Sequence, residues 1–363
     1  MNAETKKRKI GILTFHRARS YGAVLQCYAL CQILRKIFPD AETGVIDFSP
    51  SRFSASKDCG KQKQAEVLLK FLLSNVNVVT PESDTLNECL SAGVTDILVG
   101  SDQVWNPGIL KENLRDYFLC DIPENINKYS YAASFGSAEF VLPSEVDRVI
   151  RSALADFKNI SVREGSAVGL CEKFGRSDAI RVLDPTLHAG RSEFDHIADT
   201  GTLTAPVVGY FLSPTPLQIK VLKKIAHDKR LKSSSILVLN RKAPFFSFIK
   251  SSVNTGVPDF LHAIKNAGYV VTDSFHGVCF AILFEKEFVV LPSRRKERFT
   301  RIAELLEILG LSARVMHTAQ ANDVRNILNN PIDFNEVRQK LSLLRDFSGD
   351  FLKNLRSSEN DGN

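Results

Sequence analysis

The chain has no apolar run approaching the length of a membrane span. Its basic start, Lys6-Lys7-Arg8-Lys9, leads only into Ile10 to Phe15, which is too short for a signal peptide and carries no small-residue cleavage site. Seven cysteines, at 27, 31, 59, 89, 120, 171 and 279, form no C-x-x-C pair and no zinc-type spacing, which argues against a disulfide framework or a zinc centre. There is no G-x-x-x-x-G-K-S/T loop and no G-x-G-x-x-G fingerprint, so nucleoside triphosphate hydrolysis and nicotinamide chemistry both lose support. No dense basic tract is interleaved with aromatics, and the net charge of +6 therefore does not indicate nucleic acid. No carboxylate cluster for a metal stands out. The expectation is a cytoplasmic protein whose partners are acidic small molecules or an anionic membrane surface.

What is present is an ordinary globular composition, 44% hydrophobic and 24% charged over 363 residues, enough for two domains with their own cores. Short apolar runs alternate with helical periodicity in both halves, the pattern of βαβ units. Strands are expected at residues 9–15, 44–48, 96–99, 129–133, 160–162 and 180–183, with helices over 23–38, 144–157 and 166–174 and one over 65–73 inside an irregular insertion. Apolar density falls around 189–205, read as the linker. The alternation then restarts with strands at 207–212, 236–239, 268–271 and 288–291 and helices at 217–229, 259–266 and 299–309, before a terminal helix from about 335 to 355. The expected fold is α/β, two doubly wound Rossmann-like domains with an interdomain cleft. The first would span 1–195 and lie on the acceptor side, the second 205–330, and 331–363 would form a terminal helix packing back on the first.

Ligands of such sheets sit beyond the carboxyl ends of the strands. The hexapeptide Thr272-Asp273-Ser274-Phe275-His276-Gly277 follows a strand and opens a helix, with Asp273 and Ser274 as candidate N-caps and backbone N–H groups aimed at an anion. His276 in the first turn reads either as a proton-transfer group or as a histidine satisfying a buried hydrogen bond. Cys279 nearby invites a Cys-His nucleophile, but its apolar helix favours packing. Other strand ends carry Ser101, Asp102 and Gln103, then Ser137, Arg163, Asp184 and Asn240, and finally Arg294 and Arg295. Together they would bring backbone donors, guanidinium groups and an imidazole to one cleft, as phosphate or carboxylate recognition demands. Arg298 and Arg301 are expected on an outward helical face, meeting solvent or an anionic membrane.

Ile10-Gly11-Ile12-Leu13-Thr14-Phe15-His16, Tyr21-Gly22-Ala23-Val24-Leu25-Gln26, Leu98-Val99-Gly100-Ser101-Asp102-Gln103-Val104-Trp105-Asn106, Ser161-Val162-Arg163-Glu164, Val182-Leu183-Asp184-Pro185-Thr186 and the hexapeptide ending in His276-Gly277 resemble, in this order, the motif set of the polysaccharide pyruvyl transferase family. The resemblance covers roughly residues 10 to 310. It implies a GT-B-like fold and transfer of a pyruvyl group from phosphoenolpyruvate onto two hydroxyls of a sugar, in a polysaccharide or its lipid-linked precursor, as a cyclic ketal. It implies that Arg163 clamps donor charge and that His276 acts as acid/base or stabilises departing phosphate. Ser274, Phe275, Gly277, Arg294 and Arg295 would bind donor or phosphate, and Tyr21, Gly22, Ser101, Asp102, Gln103, Ser137, Asp184 and Asn240 would line the acceptor side of the cleft. The scheme requires no metal and no redox cofactor. Ser20 stands before Tyr21-Gly22 where the family commonly has asparagine. The alternatives are a GT-B-type glycosyltransferase using a nucleotide diphosphate sugar, and a non-catalytic glycan-binding relative.

Overall fold

Two all-parallel sheets organise the molecule, and the computed structural model describes residues 7–50, 59–212, 214–231, 234–238, 249–252, 255–292, 296–317 and 321–357. The strands are β1 (Lys9–Leu13), β2 (Glu42–Val45), β3 (Asp96–Val99), β4 (Asn127–Ala133), β5 (Asn159–Val162), β6 (Ile180–Arg181), β7 (Val207–Phe211), β8 (Ser234–Val238), β9 (Ile249–Ser252), β10 (Tyr269–Thr272) and β11 (Glu287–Val290). Helices connect them: α1 (Tyr21–Ile37), α2 (Cys59–Leu73), α3 (Leu86–Leu90), α4 (Pro107–Leu110), α5 (Leu114–Tyr117), α6 (Ser144–Ala155), α7 (Gly165–Lys173), α8 (Pro185–Ala189), α9 (Ser192–Ala198), α10 (Pro216–Asp228), α11 (Val257–Asn266), α12 (Phe275–Leu283), α13 (Lys296–Leu309), α14 (Ala321–Asn329) and α15 (Phe334–Ser357). The six-stranded sheet runs β2-β1-β3-β4-β5-β6 and the five-stranded sheet β11-β10-β7-β8-β9.

Both sheets are covered by helices on both faces, which is why central strands such as Asp96–Val99 are buried along their whole length. Each strand order reverses once, between β1 and β3 in the first sheet and between β7 and β10 in the second. At such a reversal the connections depart to opposite faces and leave a crevice beyond the strand ends. The two crevices meet. Tyr21, at the start of α1, stacks on Phe260 of α11 at 4.3 Å between ring centroids, and its hydroxyl donates to the Thr255 carbonyl at 2.7 Å. Buried residues of α1, α11, α12 and α13 share one apolar cluster, so the halves are joined through a core.

Three elements depart from the sequence reading. Strand β9, Ile249-Lys250-Ser251-Ser252, has no apolar alternation to announce it and, among the described residues, pairs only with β8, as the edge of its sheet. The 189–205 stretch carries α9, whose Phe194 and Ile197 are buried. Strand β6 is shorter than expected because the Leu183 N–H leaves the ladder and donates to Ser348 Oγ of α15 at 3.0 Å. Helix α15 also reaches back to the first strand region, where Arg8 donates to the Leu355 carbonyl at 3.2 Å. Among the described residues no helix is long and apolar enough to cross a membrane.

Candidate active site

Four strand ends deliver charged or polar side chains to one buried point. Asp184, just after β6, caps α8: its Oδ1 accepts from the Thr186 N–H at 2.9 Å and from Thr186 Oγ1 at 2.6 Å. Its other oxygen, Oδ2, accepts from Ser101 Oγ at 2.9 Å and from Arg163 Nη1 at 3.1 Å. His276 Nε2, from the other sheet, stands 3.4 Å from the same oxygen. Arg163 also donates to Ser101 Oγ at 3.2 Å. Its guanidinium carbon lies 4.5 Å from the Phe275 ring centroid, a cation–π contact that holds the plane of the group. Phe275 meets the His276 ring edge-on at 5.3 Å.

Burial alone would raise the Asp184 pKa; the charges of His276 and Arg163 override it and hold the carboxyl well below its ordinary 3.8. Burial likewise works against the Arg163 cation, and Asp184, Glu164 and Asp102 together keep it charged. The result is a carboxylate shared by a guanidinium and an imidazole in a site almost closed to water, with Arg163 6% and His276 8% exposed. Electrostatic interactions in such a place are stronger than at a surface.

The local backbone explains how these groups arrive. Ser274 caps α12, its Oγ accepting from the Gly277 N–H at 3.4 Å. Thr272 Oγ1 accepts from the Ser274 N–H at 3.1 Å and donates to the Tyr210 carbonyl at 2.7 Å. A Cβ on Gly277 would run into Thr272 and approach Tyr210 Cδ1 at 3.0 Å, so glycine here lets α12 start tight against β10 and β7. Asp273 Oδ1 accepts from the Leu212 N–H at 2.9 Å, tying the two lips of the second crevice. In the first crevice, Gln26 donates to Thr14 Oγ1 at 2.9 Å and Thr14 donates to the Ser101 carbonyl at 2.7 Å. Beside them β4 is irregular between Ser130 and Ala133, with Ala132 at φ 53°, a bulge of the kind found next to sites.

The structure thus brings Ser101, Arg163, Asp184, Phe275 and His276 together, with Gly22 against the His276 ring. It places others differently. Tyr21 is buried, and its hydroxyl is engaged by Thr255 and by Gln64 Nε2 at 3.2 Å. Gln103 Oε1 accepts from Asn106 at 3.0 Å and faces Gly136; Asp102, at φ 87°, accepts from the Gln103 N–H at 2.8 Å. Ser137 Oγ donates to the Glu139 carbonyl at 2.9 Å. Asn240, Arg294 and Arg295 lie outside the described residues. Arg301 corrects an expectation: it is 7% exposed, not outward-facing, with its guanidinium carbon 6.0 Å from the Phe275 ring. Facing an interior ring rather than solvent, it cannot be a membrane contact from there. Sequence reasoning quoted Thr186 within the motif after β6 but gave it no role, although an Asp two residues before a Thr at a helix start is a capping signal. It also singled out neither Arg181 nor Glu304, which line a cavity with Arg163 and Asp184 and for which no local pattern exists.

No curated protein sequence matches this chain. Among solved structures, UDP-GlcNAc 2-epimerase from Neisseria meningitidis bound to UDP-GlcNAc is similar with a TM-score of 0.55 at 11% identity, covering 96% of this chain and 99% of that one. UDP-N-acetylglucosamine 2-epimerase from Rickettsia bellii gives 0.53 at 10%, covering 95% and 98%. The Methanocaldococcus jannaschii UDP-GlcNAc 2-epimerase in complex with UDP-GlcNAc and UDP gives 0.52 at 13%, covering 93% and 99%. At these identities the likeness is one of fold, and that fold is the GT-B-like pair of doubly wound sheets. A model of one family matches residues 21–294, a span that runs from Tyr21 through Ser101, Arg163 and Asp184 to His276, and on this evidence the chain belongs to the polysaccharide pyruvyl transferase family.

Proposed function

We propose that this chain transfers a pyruvyl group from phosphoenolpyruvate to two hydroxyls of a sugar, in a polysaccharide or its lipid-linked precursor, and closes a cyclic ketal. The observation that carries the reading is the shared contact of Arg163 and His276 with Asp184 Oδ2, one from each sheet. In the proposed course the donor's methylene carbon gains a proton, and a sugar hydroxyl adds to the neighbouring carbon and loses its own proton. The bond to phosphate then breaks, and a second hydroxyl takes its place on that carbon, so one donor and one diol give one ketal and one inorganic phosphate. His276 is the proton-transfer group. Arg163 offsets the negative charge of the donor and of departing phosphate. Asp184 orients both. The work would take place in the cytoplasm, at the inner face of the membrane when the acceptor is lipid-borne.

A nucleotide diphosphate sugar is the competing donor, since the Neisseria and Methanocaldococcus structures hold UDP-GlcNAc in the same fold. Family membership favours the pyruvyl donor. Incubation with phosphoenolpyruvate and a panel of lipid-linked sugars should release inorganic phosphate and give a pyruvylated acceptor by mass spectrometry. Release of nucleoside diphosphate from a sugar nucleotide, with phosphoenolpyruvate untouched, would overturn the proposal.

A further inference from the structure

Helix α7 begins directly after Arg163 and Glu164, yet Glu164 does not cap it. The Glu164 Oε1 atom turns away to accept from Ser134 Oγ at 2.8 Å and from the N–H groups of Phe135 and Gly136 at 3.1 and 3.2 Å. The first turn of α7 is met instead by Glu304, from α13 on the other side of the cleft. The Gly165 N–H donates to Glu304 Oε2 at 2.5 Å and the Ser166 N–H to Oε1 at 3.3 Å. Arg181 stands close by: a Cβ on Gly165 would lie 3.3 Å from Glu304 Oε2 and 3.6 Å from Arg181 Nη1. Arg163, Arg181, Arg301 and Glu304 line one cavity of about 30 Å³.

Buried polar atoms here are left without hydrogen bonds, and Glu164 Oε2 comes no nearer than 3.8 Å to Arg163 Nε. Arg163 Nε and Nη2, on a side chain 1% exposed, are buried without a hydrogen-bond acceptor among the described residues, and so is Ser166 Oγ. The planar Glu304 carboxylate faces the two N–H groups of the helix end, one with each oxygen. A tetrahedral phosphate has a third oxygen face for the guanidinium and the hydroxyl, and its second charge suits a helix end set among arginines. The cavity has room for a water, and the helix N–H groups that a phosphate would take are the ones Glu304 holds.

We propose that the N-terminus of α7, with Arg163, Arg181 and Arg301, is a subsite for a phosphate monoester group, and that Glu304 is its intramolecular occupant, displaced when the phosphate enters. Identifying that group as the donor's phosphate rests on the pyruvyl transfer reading; the subsite itself does not. Because Glu304 reaches across from the second sheet's helices, displacing it also removes a hydrogen-bonded tie between the two halves.

Calorimetric titration of the full chain with inorganic phosphate tests this. Glu304→Gln removes the competing charge and should bind phosphate at least about tenfold more tightly than the unaltered chain. Glu307→Gln, on the exposed face of the same helix, changes net charge equally and should leave affinity within about twofold. Adding Arg181→Gln to Glu304→Gln should reverse most of the gain. Unchanged or weaker binding by Glu304→Gln, or an equal gain in Glu307→Gln, overturns the subsite. Should Glu304→Gln not fold, Glu304→Asp, with a shorter arm, carries the same expectation. Tighter phosphate binding without any pyruvyl transfer would sink the donor reading alone; intact transfer with unaltered phosphate affinity would sink the subsite alone.

Discussion

Gly22, in the first turn of α1, lies flat against the imidazole of His276, in the first turn of α12, so that a Cβ on the glycine would overlap the ring at Nδ1 and Cγ. Two helix starts from different sheets therefore meet face to face, and the glycine is what allows the histidine to reach Asp184.

Replacing Gly22 by alanine should displace the His276 ring and cost about 1–3 kcal/mol of stability through overpacking. Transfer activity should fall further than stability alone accounts for, since Nε2 would leave Asp184. Denaturant titration together with turnover checks this, and full activity in a folded Gly22→Ala chain would contradict it.

Asp184 has a carboxyl held well below its ordinary 3.8, and Asp47 is lowered to about 2: burial raises it, but hydrogen bonds from His16 and Arg17 prevail. A carboxylate whose pKa is depressed by folding stabilises the native state above its unfolded pKa, and the contribution is lost as pH falls below that value. Stability of the unaltered chain should therefore drop from about pH 4 downward. Asp184→Asn should cost about 3–5 kcal/mol at pH 7, where it strands Arg163, and should flatten the acid limb. Equal stability of the two chains at pH 7 would be the contrary result.

The Cys279 thiol is pushed well above its ordinary 9.0 by burial, the larger influence, and by the Asp184 charge. Such a thiol is not a nucleophile near neutral pH. Cys279→Ala should retain transfer activity within a few-fold and lose about 1 kcal/mol for the small cavity. Activity lost with the fold intact would revive a Cys-His mechanism.

Ser348 holds the Leu183 N–H one residue before Asp184. Ser348→Ala leaves that buried donor unpaired, at a cost of about 1–3 kcal/mol. Because the strand end carries Asp184, kcat should fall more than KM rises, while Leu343→Ala on the exposed side of α15 should change neither. Parallel kinetics on the two variants decide the point.

Much of the fold was legible because its signals are local. Parallel strands buried on both faces leave continuous apolar runs, and the helix at Phe275 announces itself through Ser274 and the preceding strand. Strand β9 was not, because a polar edge strand takes its identity from the neighbour it pairs with. Arg301 misled for a related reason: its place in a basic run predicts a surface, whereas its position on α13 turns it toward Phe275.

At the site, the residues and their places at strand ends could be read from the chain alone, since helix caps and strand termini depend on neighbours a few positions away. What only the tertiary structure decided is which of them share an atom. Asp184 is separated from Ser101 by 83 positions and from Arg163 by 21, and Glu304 from Gly165 by 139. No periodicity connects residues at such distances. Two sheets, packed so that their strand-order reversals face one another, put Arg163 and His276 on the same carboxylate oxygen, because buried charges must be paired where water cannot solvate them.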